Sequence, residues 1–332
     1  MWFKVLTGFQ EESPTQVRKN LSVTGEILKS HINDKEYSCG LLETPSLAEL
    51  RERVAHNEDQ TKKISVREVV ADVQQLHIES VNAGSLFQVA SQFNLLEMVS
   101  PNVTPEQGVS DYEYDRTQGP ACAIAAGAGT IYRNYFAKVH GEIGQTTDNQ
   151  IDCLANMGEA LGNSDNRLWQ MRNGYALASE AGLIKINHKI KSASEAEIDE
   201  LRKLLRIGIQ WNTEVTLHDA KHSVTQTYCS ALPVAYSQQS PMLWAEFARI
   251  VLEASYEATI CAGILNSQKT GNNKVYLTLL GGGAFGNEST WIVNAIERSL
   301  KLYRNAGLDV VIVSYGHSNP HIQALIHQVN NF

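Results

Sequence analysis

The stretch Leu277–Trp291, LTLLGGGAFGNESTW, decides how the chain is read. An apolar run ends in three glycines, and Ala284, Phe285, a fourth glycine and Asn287 follow. A helix-like segment, TWIVNAIERSLKLYRNAG, then closes at Gly307. Strand, glycine loop and helix in that order place the loop at the carboxyl end of a strand, where ligands collect in open α/β sheets. A helix N-terminus there offers free backbone N–H groups and the positive end of the helix dipole, which favour phosphate. Glycine permits the positive φ angles that turn successive amides inward. The other reading of the same residues is a tight strand–helix turn that needs glycine for itself. No Gly-Lys-Ser/Thr follows, so this is not a Walker loop. Gly281, Gly283 and Gly286 fit the Gly-x-Gly-x-x-Gly spacing, but outside the first strand–helix unit where a dinucleotide motif belongs. The spacing speaks for phosphate without naming a nucleotide.

Outward from the loop, strands and helices alternate. VTQTYCSALPVAY reads as a strand, MLWAEFARIVLEASYEATICAGIL as a long helix, KVYLTLL as a strand, DVVIVSYG as a strand and NPHIQALIHQV as a helix. Nearly all-apolar strands between helices imply a sheet covered by helices on both faces, an α/β layer fold. Upstream, ISVREVVADVQQLHI and LFQVASQFNLLEMV read as buried strands. Residues 100–120 form an acidic, turn-rich loop that runs into ACAIAAGAGTIYRNYF, a small-residue helix able to approach a sheet closely. Between about 140 and 220, LWQMRNGYALA reads as a hairpin turning at Asn173-Gly174, and SASEAEIDELRKLL as a capped helix. Residues 1–60 read as an N-terminal extension, with a strand pair near Glu26–Ser38 and a helix over Leu47–Val54. No repeat or low-complexity linker interrupts the 332 residues, which favours one elaborated domain over 61–332 with an insertion at about 140–220.

The totals narrow the function classes. A net charge of −8 argues against a broad nucleic-acid or acidic-membrane surface, while leaving room for a small anion held by backbone amides. Five cysteines lie far apart with no Cys-x-x-Cys, as expected for reduced thiols. The ten histidines form no metal-ligand spacing beside a carboxylate, so no metal and no cofactor is expected. The N-terminus turns polar too early for a secretory signal, and no apolar run reaches membrane-spanning length. The expected location is the cytoplasm, that of the producing cell or, for a secreted effector, of a host.

LLGGGAFGN, the helix after it and AGLDVVIVSYGHS resemble the C-terminal part of poly(ADP-ribose) glycohydrolase-type macrodomains, whose Gly-x-Gly-Ala-Phe-Gly-Gly loop wraps a diphosphate. QTYCSALPVAYSQ with EASYEATICAGIL is similar to the strand and helix before that loop, and HIESVNAGSLFQVASQFN to that family's Leu-Gln-Val-x-x-Ala-Asn strand. The matching pieces span about residues 76 to 330, with a poorly matched centre. The resemblance implies a macrodomain-like mixed sheet and an ADP-ribose pocket. Gly281, Gly282, Gly283, Ala284, Phe285, Gly286 and Asn287 would hold the diphosphate. Glu79 would accept from the adenine amino group, Gln92 or Asn94 would touch the distal ribose, and Tyr315 would line the adenine side.

The chain departs from that family where its Gly-Gly-Gly, spacer and Gln-Glu-Glu should stand. Gln10-Glu11-Glu12 lies at the wrong end, and TQGP occupies the expected place. Breaking a bond at an anomeric carbon needs a carboxylate to position water, protonate the leaving group or stabilise positive charge. The segment DYEYDRTQGP offers Asp111, Glu113 and Asp115, which in an extended stretch would share one face. Asp115 and then Asp111 are the candidate catalytic residues, with Gln118 as a polar contact. Use of aspartates in place of Gln-Glu-Glu is similar to the atypical macrodomain ADP-ribosylhydrolases among Legionella effectors. The expected activity is hydrolysis of ADP-ribose from modified protein side chains, with ADP-ribose or ADP-ribosylated protein as partner and neither nucleic acid nor membrane. A reader that binds ADP-ribose without hydrolysis, or another nucleotide or sugar-phosphate hydrolase, is the alternative.

Overall fold

The computed structural model describes residues 1–55 and 62–329. Among them one seven-stranded sheet organises the chain: β1 (Leu41–Glu43), β2 (Ser65–Val70), β3 (Leu86–Ala90), β4 (Gly208–Glu214), β5 (Ser223–Cys229), β6 (Lys274–Leu277) and β7 (Asp309–Ser314). Across the sheet the order is β1-β4-β5-β3-β6-β7-β2. The five strands from β5 to β2 are parallel, and antiparallel pairing joins β4 to β5 and β1 to β4. The sheet is therefore mixed, and five neighbouring carboxyl ends open on the same edge.

Helices cover both faces, as the apolar strands led us to expect. On one side lie α1 (Val73–Ile78), α2 (Gln118–Ala125) and α3 (Gly127–Tyr135); on the other, α4 (Pro241–Thr270) and α5 (Ser289–Leu302), while α6 (Pro320–Val329) packs on the edge strand β2. Successive strand side chains point to opposite faces, and β3 shows the division. Its Phe87 ring stacks between His77 of α1 at 3.8 Å and Tyr276 of β6 at 4.4 Å. Gln88, one residue on, donates to Thr259 of α4. Within α4, Glu257 is only 1% exposed and accepts from Arg51 at 2.5 Å and Arg298 at 2.6 Å. Burial works to raise the Glu257 pKa, but the two guanidiniums outweigh it and hold the carboxyl below its ordinary range. A paired charge of this kind ties α4 to α5 and to the helix Leu47–Ala55. No helix among the described residues is long and apolar enough to cross a membrane.

Several elements differ from the sequence reading. ISVREVVADVQQLHI is a strand only to Val70. Asp72 then accepts from the Gln74 N–H at 2.8 Å and caps α1, so a buried helical turn replaces the second half of the expected strand. LFQVASQFNLLEMV is a strand only to Ala90. The small-residue segment forms two helices, α2 and α3, because Ala126 leaves helical dihedrals at φ −114, ψ 60. Residues 1–55 are woven in. Leu41–Glu43 is a strand of the main sheet, and Phe3, Leu6 and Val17 share a core with Leu96, Met98, Tyr112, Ile131 and Tyr135. The central segment supplies β4, which a short polar-interrupted GIQWNTE did not announce. Its hairpin and capped helix form as expected. Asn173 (φ 47) and Gly174 (φ 78) link Trp169–Arg172 to Tyr175–Ala178, and Ser194 with Glu197 closes a capping box.

Truncation of the ring at the centre of the sheet tests this packing. Phe87→Ala should cost about 3–5 kcal/mol of unfolding free energy in denaturant titration, the range for a fully buried aromatic.

Candidate functional site

One cavity of about 550 Å³ runs along the carboxyl ends of the five parallel strands. It is lined by Ala231 after β5, Ala90 to Gln92 at the end of β3, Thr278 to Gly281 and Gly283 to Phe285 after β6, Val313 and Tyr315 at β7 and Ala71 to Gln74 after β2. Strands lie ~4.8 Å apart, so five adjacent ends extend over ~19 Å. The shape suits an elongated ligand laid across the sheet edge.

The glycine loop forms its middle wall, and its glycines divide by purpose. Gly281 has φ +74, and a Cβ there would lie 2.4 Å from Ala231. Gly286 has φ +69 with Ala235 at 2.9 Å, and a Cβ on Gly282 would meet Ile292 of α5 at 3.1 Å. These three serve the turn and its packing. Gly283 alone has nothing within 4 Å and lines the cavity. The Asn287 N–H donates to Gly281 and its side-chain amide to Leu232, which closes the loop from behind. Gly282, Gly286 and Asn287 therefore shape the loop without lining the cavity, contrary to expectation for the whole motif.

Free amides face the space from two directions. The Gly282 and Gly286 N–H groups are used inside the loop, whereas those of Gly283, Ala284 and Phe285 donate to no group among the described residues. Across the cavity, α2 begins with the equally free amides of Gln118 and Gly119. Gly119 is required there, because a Cβ would stand 1.9 Å from the Ala90 carbonyl oxygen. Two amide clusters, one at a helix N-terminus, make an anion site without a basic side chain. Arg116 adds one guanidinium to the lining.

The carboxyl group best placed for chemistry is Glu97, which the sequence reading passed over. A tight turn carries it to the cavity. The Gln92 side chain accepts from the Met98 N–H at 2.8 Å, the Asn94 side chain accepts from Leu96, and Leu95 takes φ 64. Glu97 is 2% exposed, with both oxygens 3.4 Å from Arg133, itself fully buried. Arg133 is anchored by the Leu95 carbonyl and the Tyr228 hydroxyl. Burial pushes the Glu97 carboxyl up to about 7, and Arg133 offsets this only in part. A carboxyl that holds its proton near neutrality can act as an acid.

The expected catalytic aspartates separate. Ser110–Tyr114 is a 3-10 helix and not an extended stretch, so Asp111, Glu113 and Asp115 do not share a face. Asp111 is exposed and does not line the cavity; it is set aside. Asp115 does line it, accepting from the Thr117 N–H at 2.8 Å, close enough to Tyr175 to help raise that phenol's pKa behind the larger effect of burial. Of the ribose alternatives, Gln92 lines the cavity, while Asn94 is fully buried and spent on Gln150 and Leu96. Gln118 lines it too, but its side chain is engaged by the end of β3.

Glu79 caps the far end of α1 and is exposed, before β3 begins; it lies at the opposite end of the strands and cannot reach the cavity. Asp72 stands where a carboxylate was expected of Glu79. One of its oxygens accepts from Gln74, and it lines the cavity near Tyr315, which is 83% exposed. At the other end Tyr175, Tyr236 and Phe285 form a cluster with ring centroids 5.1 to 5.5 Å apart.

A scan against protein families finds no match, and no curated protein matches the chain. Solved structures do. Poly(ADP-ribose) glycohydrolase from Thermomonospora curvata is similar over 95% of this chain and 97% of its own, at 10% identity and a TM-score of 0.47. The Deinococcus radiodurans enzyme in complex with ADP-ribose is similar over 97% and 99%, at 9% identity and 0.46. Likeness at this level assigns neither family nor activity.

Two measurements check the geometry. Gly283→Glu should keep the wild-type Tm and weaken binding of a diphosphate probe such as pyrophosphate by more than ~tenfold, since like charge set against a phosphate costs several kcal/mol. Gly282→Val should instead lower stability by about 1–3 kcal/mol through overpacking on Ile292. The second concerns Glu97, whose folded value near 7 stands above the ordinary 4.5. Its stabilising contribution is complete below the unfolded value and is lost as pH rises through the folded one. From about pH 5 to about pH 8, wild-type Tm should therefore fall relative to Glu97→Gln; a constant difference would place the proton elsewhere.

Proposed function

We propose that the cavity binds ADP-ribose and that the protein hydrolyses ADP-ribose from modified protein side chains. The observation that carries this is the pair of free amide clusters, at Gly283–Phe285 and at the start of α2, facing each other across an elongated cavity that also holds a buried, protonatable carboxyl. A diphosphate between the amides would leave one end of the ligand toward Asp72 and Tyr315 and the other toward Gln92, Glu97 and Asp115. The likeness of LLGGGAFGN to the loop of poly(ADP-ribose) glycohydrolase-type macrodomains supports the same assignment.

In this reading the protonated Glu97 gives its proton to the side-chain nitrogen or oxygen leaving the anomeric carbon. The bond electrons go to that atom. Water adds to the carbon, and its proton passes to the Asp115 carboxylate. Arg133 then faces a Glu97 carboxylate, which it stabilises until a proton returns. A reader without hydrolysis is favoured by the missing Gln-Glu-Glu and by the engagement of both Glu97 oxygens with Arg133.

Calorimetric titration with ADP-ribose, with ADP as control, comes first, followed by release from ADP-ribosylated protein. Wild type should prefer ADP-ribose and release it, with kcat/KM falling as pH rises through about 7. Glu97→Gln should lose about 10²–10⁴-fold in turnover while retaining affinity within a few-fold. Tight binding with no release by wild type would decide for the reader, and no binding would remove both readings.

A further inference from the structure

Glu68 lies on the edge strand β2, outside the cavity lining, yet every one of its hydrogen bonds goes to the segment that carries Tyr315. The Ser314 hydroxyl donates to one oxygen at 2.5 Å, and so does the Asn319 N–H at 2.8 Å. The Ser318 hydroxyl and the Gln323 side-chain amide donate to the other. These donors bracket Tyr315 on both sides, from the last residue of β7 to the first turn of α6. Tyr315 itself has little to hold it. It is 83% exposed, and the chain next to it passes through Gly316 at φ +77. The internal bonds of the connection are the His317 N–H to the Tyr315 carbonyl, the Gln323 side-chain amide to the Ser318 hydroxyl at 3.3 Å and those closing the first turn of α6 on Asn319. An exposed ring on a glycine-hinged connection keeps its place beside the cavity only if the backbone around it is fixed. Among the described residues, the side chain that gathers both flanks is Glu68.

We propose that Glu68 is a positioning residue for the ligand: it fastens the Tyr315 connection as one wall of the cavity, so that affinity for a planar group seated there depends on a carboxylate that never touches it. The partial burial of Glu68 works to raise its pKa, but the four donors outweigh it and bring the carboxyl down to about 2, as expected for a permanently charged clamp. The inference rests on the reading of the cavity as an ADP-ribose site. It specifies that the base end of the ligand, near Asp72 and Tyr315, is the part Glu68 controls.

The experiment is a double-mutant cycle on the full chain, with ADP-ribose and the base-free ribose 5-phosphate as probes. Glu68→Ala and the nearly isosteric Glu68→Gln should each weaken ADP-ribose, the alanine variant by about tenfold, the size of one lost ordered contact. Tyr315→Ala should do the same, and the double variant should be no worse than either single one. Ribose 5-phosphate should bind all of them alike. Additive losses, equal losses for the base-free probe, or unchanged ADP-ribose binding in both Glu68 variants would overturn the proposal. A reporter separates this from the failure of the ADP-ribose reading: with a thiol-reactive dye on Tyr315→Cys, the native cysteines being buried, Glu68→Ala should lower the dye's fluorescence anisotropy whether or not a ligand binds. Unchanged anisotropy would overturn the clamp directly.

Discussion

The Gln118 side chain is the fastening on which the site depends. Its oxygen accepts from the Ala90 N–H at 2.8 Å and its nitrogen donates to the Gln88 carbonyl at 2.8 Å. It thus acts as one further strand residue beside β3 and fixes the first turn of α2 at the end of the sheet. Gly119 makes the approach possible, since any side chain there would strike the Ala90 carbonyl or the Glu97 side chain. Once α2 is seated, its free amides face those of the glycine loop. The buried polar residues beneath then form one chain from Glu97 through Arg133 and Tyr228 to Gln226 and His77. A satisfied network of this kind holds its members in one arrangement, because each alternative would leave a buried polar group without a partner.

How much of this could be read from residues alone follows from the range of the forces involved. The alternating strands and helices of the last third were legible because burial on both sheet faces leaves a periodic apolar record in the chain. So were the hairpin at Asn173-Gly174 and the capped helix at Ser194, whose signals are local. The strand β4 was not, because its place beside β5 is decided by partners far away in sequence. The acidic stretch misled for a related reason. Tyr112 turns inward so that its hydroxyl accepts from the Glu97 N–H at 2.9 Å, and the tertiary contact goes with a 3-10 turn in place of an extended run.

The site divides along the same line. The glycine loop announced itself, although Gly281, Gly282 and Gly286 are set against neighbouring groups of the protein and, of the four, Gly283 alone lines the cavity free of such contacts. Glu97 had a signal that went unused: a single carboxylate inside the apolar run FNLLEMV, with a single arginine inside the small-residue helix GAGTIYRNYF. A charge isolated in apolar sequence implies a buried partner or a function. Glu79 and Asp72 cap opposite ends of α1, and the carboxylate expected at Glu79 is supplied at the cavity by Asp72. Gln10-Glu11-Glu12 found a different use. Glu11 accepts from the Val109 and Ser110 N–H groups and from the Tyr135 hydroxyl, and so pins the start of the acidic turn.

The openness of Gly283 has a practical side. All five native cysteines, Cys39, Cys122, Cys153, Cys229 and Cys261, are buried and unpaired, and burial raises each thiol's pKa. A thiolate, not a thiol, reacts with alkylating reagents. A cysteine introduced at position 283 would thus be the one thiol in the chain both exposed and free to ionise. A dye or a tethered fragment could be attached at the centre of the cavity without first removing any native residue, and the protein would carry its own addressable handle for whatever lies between the two amide clusters.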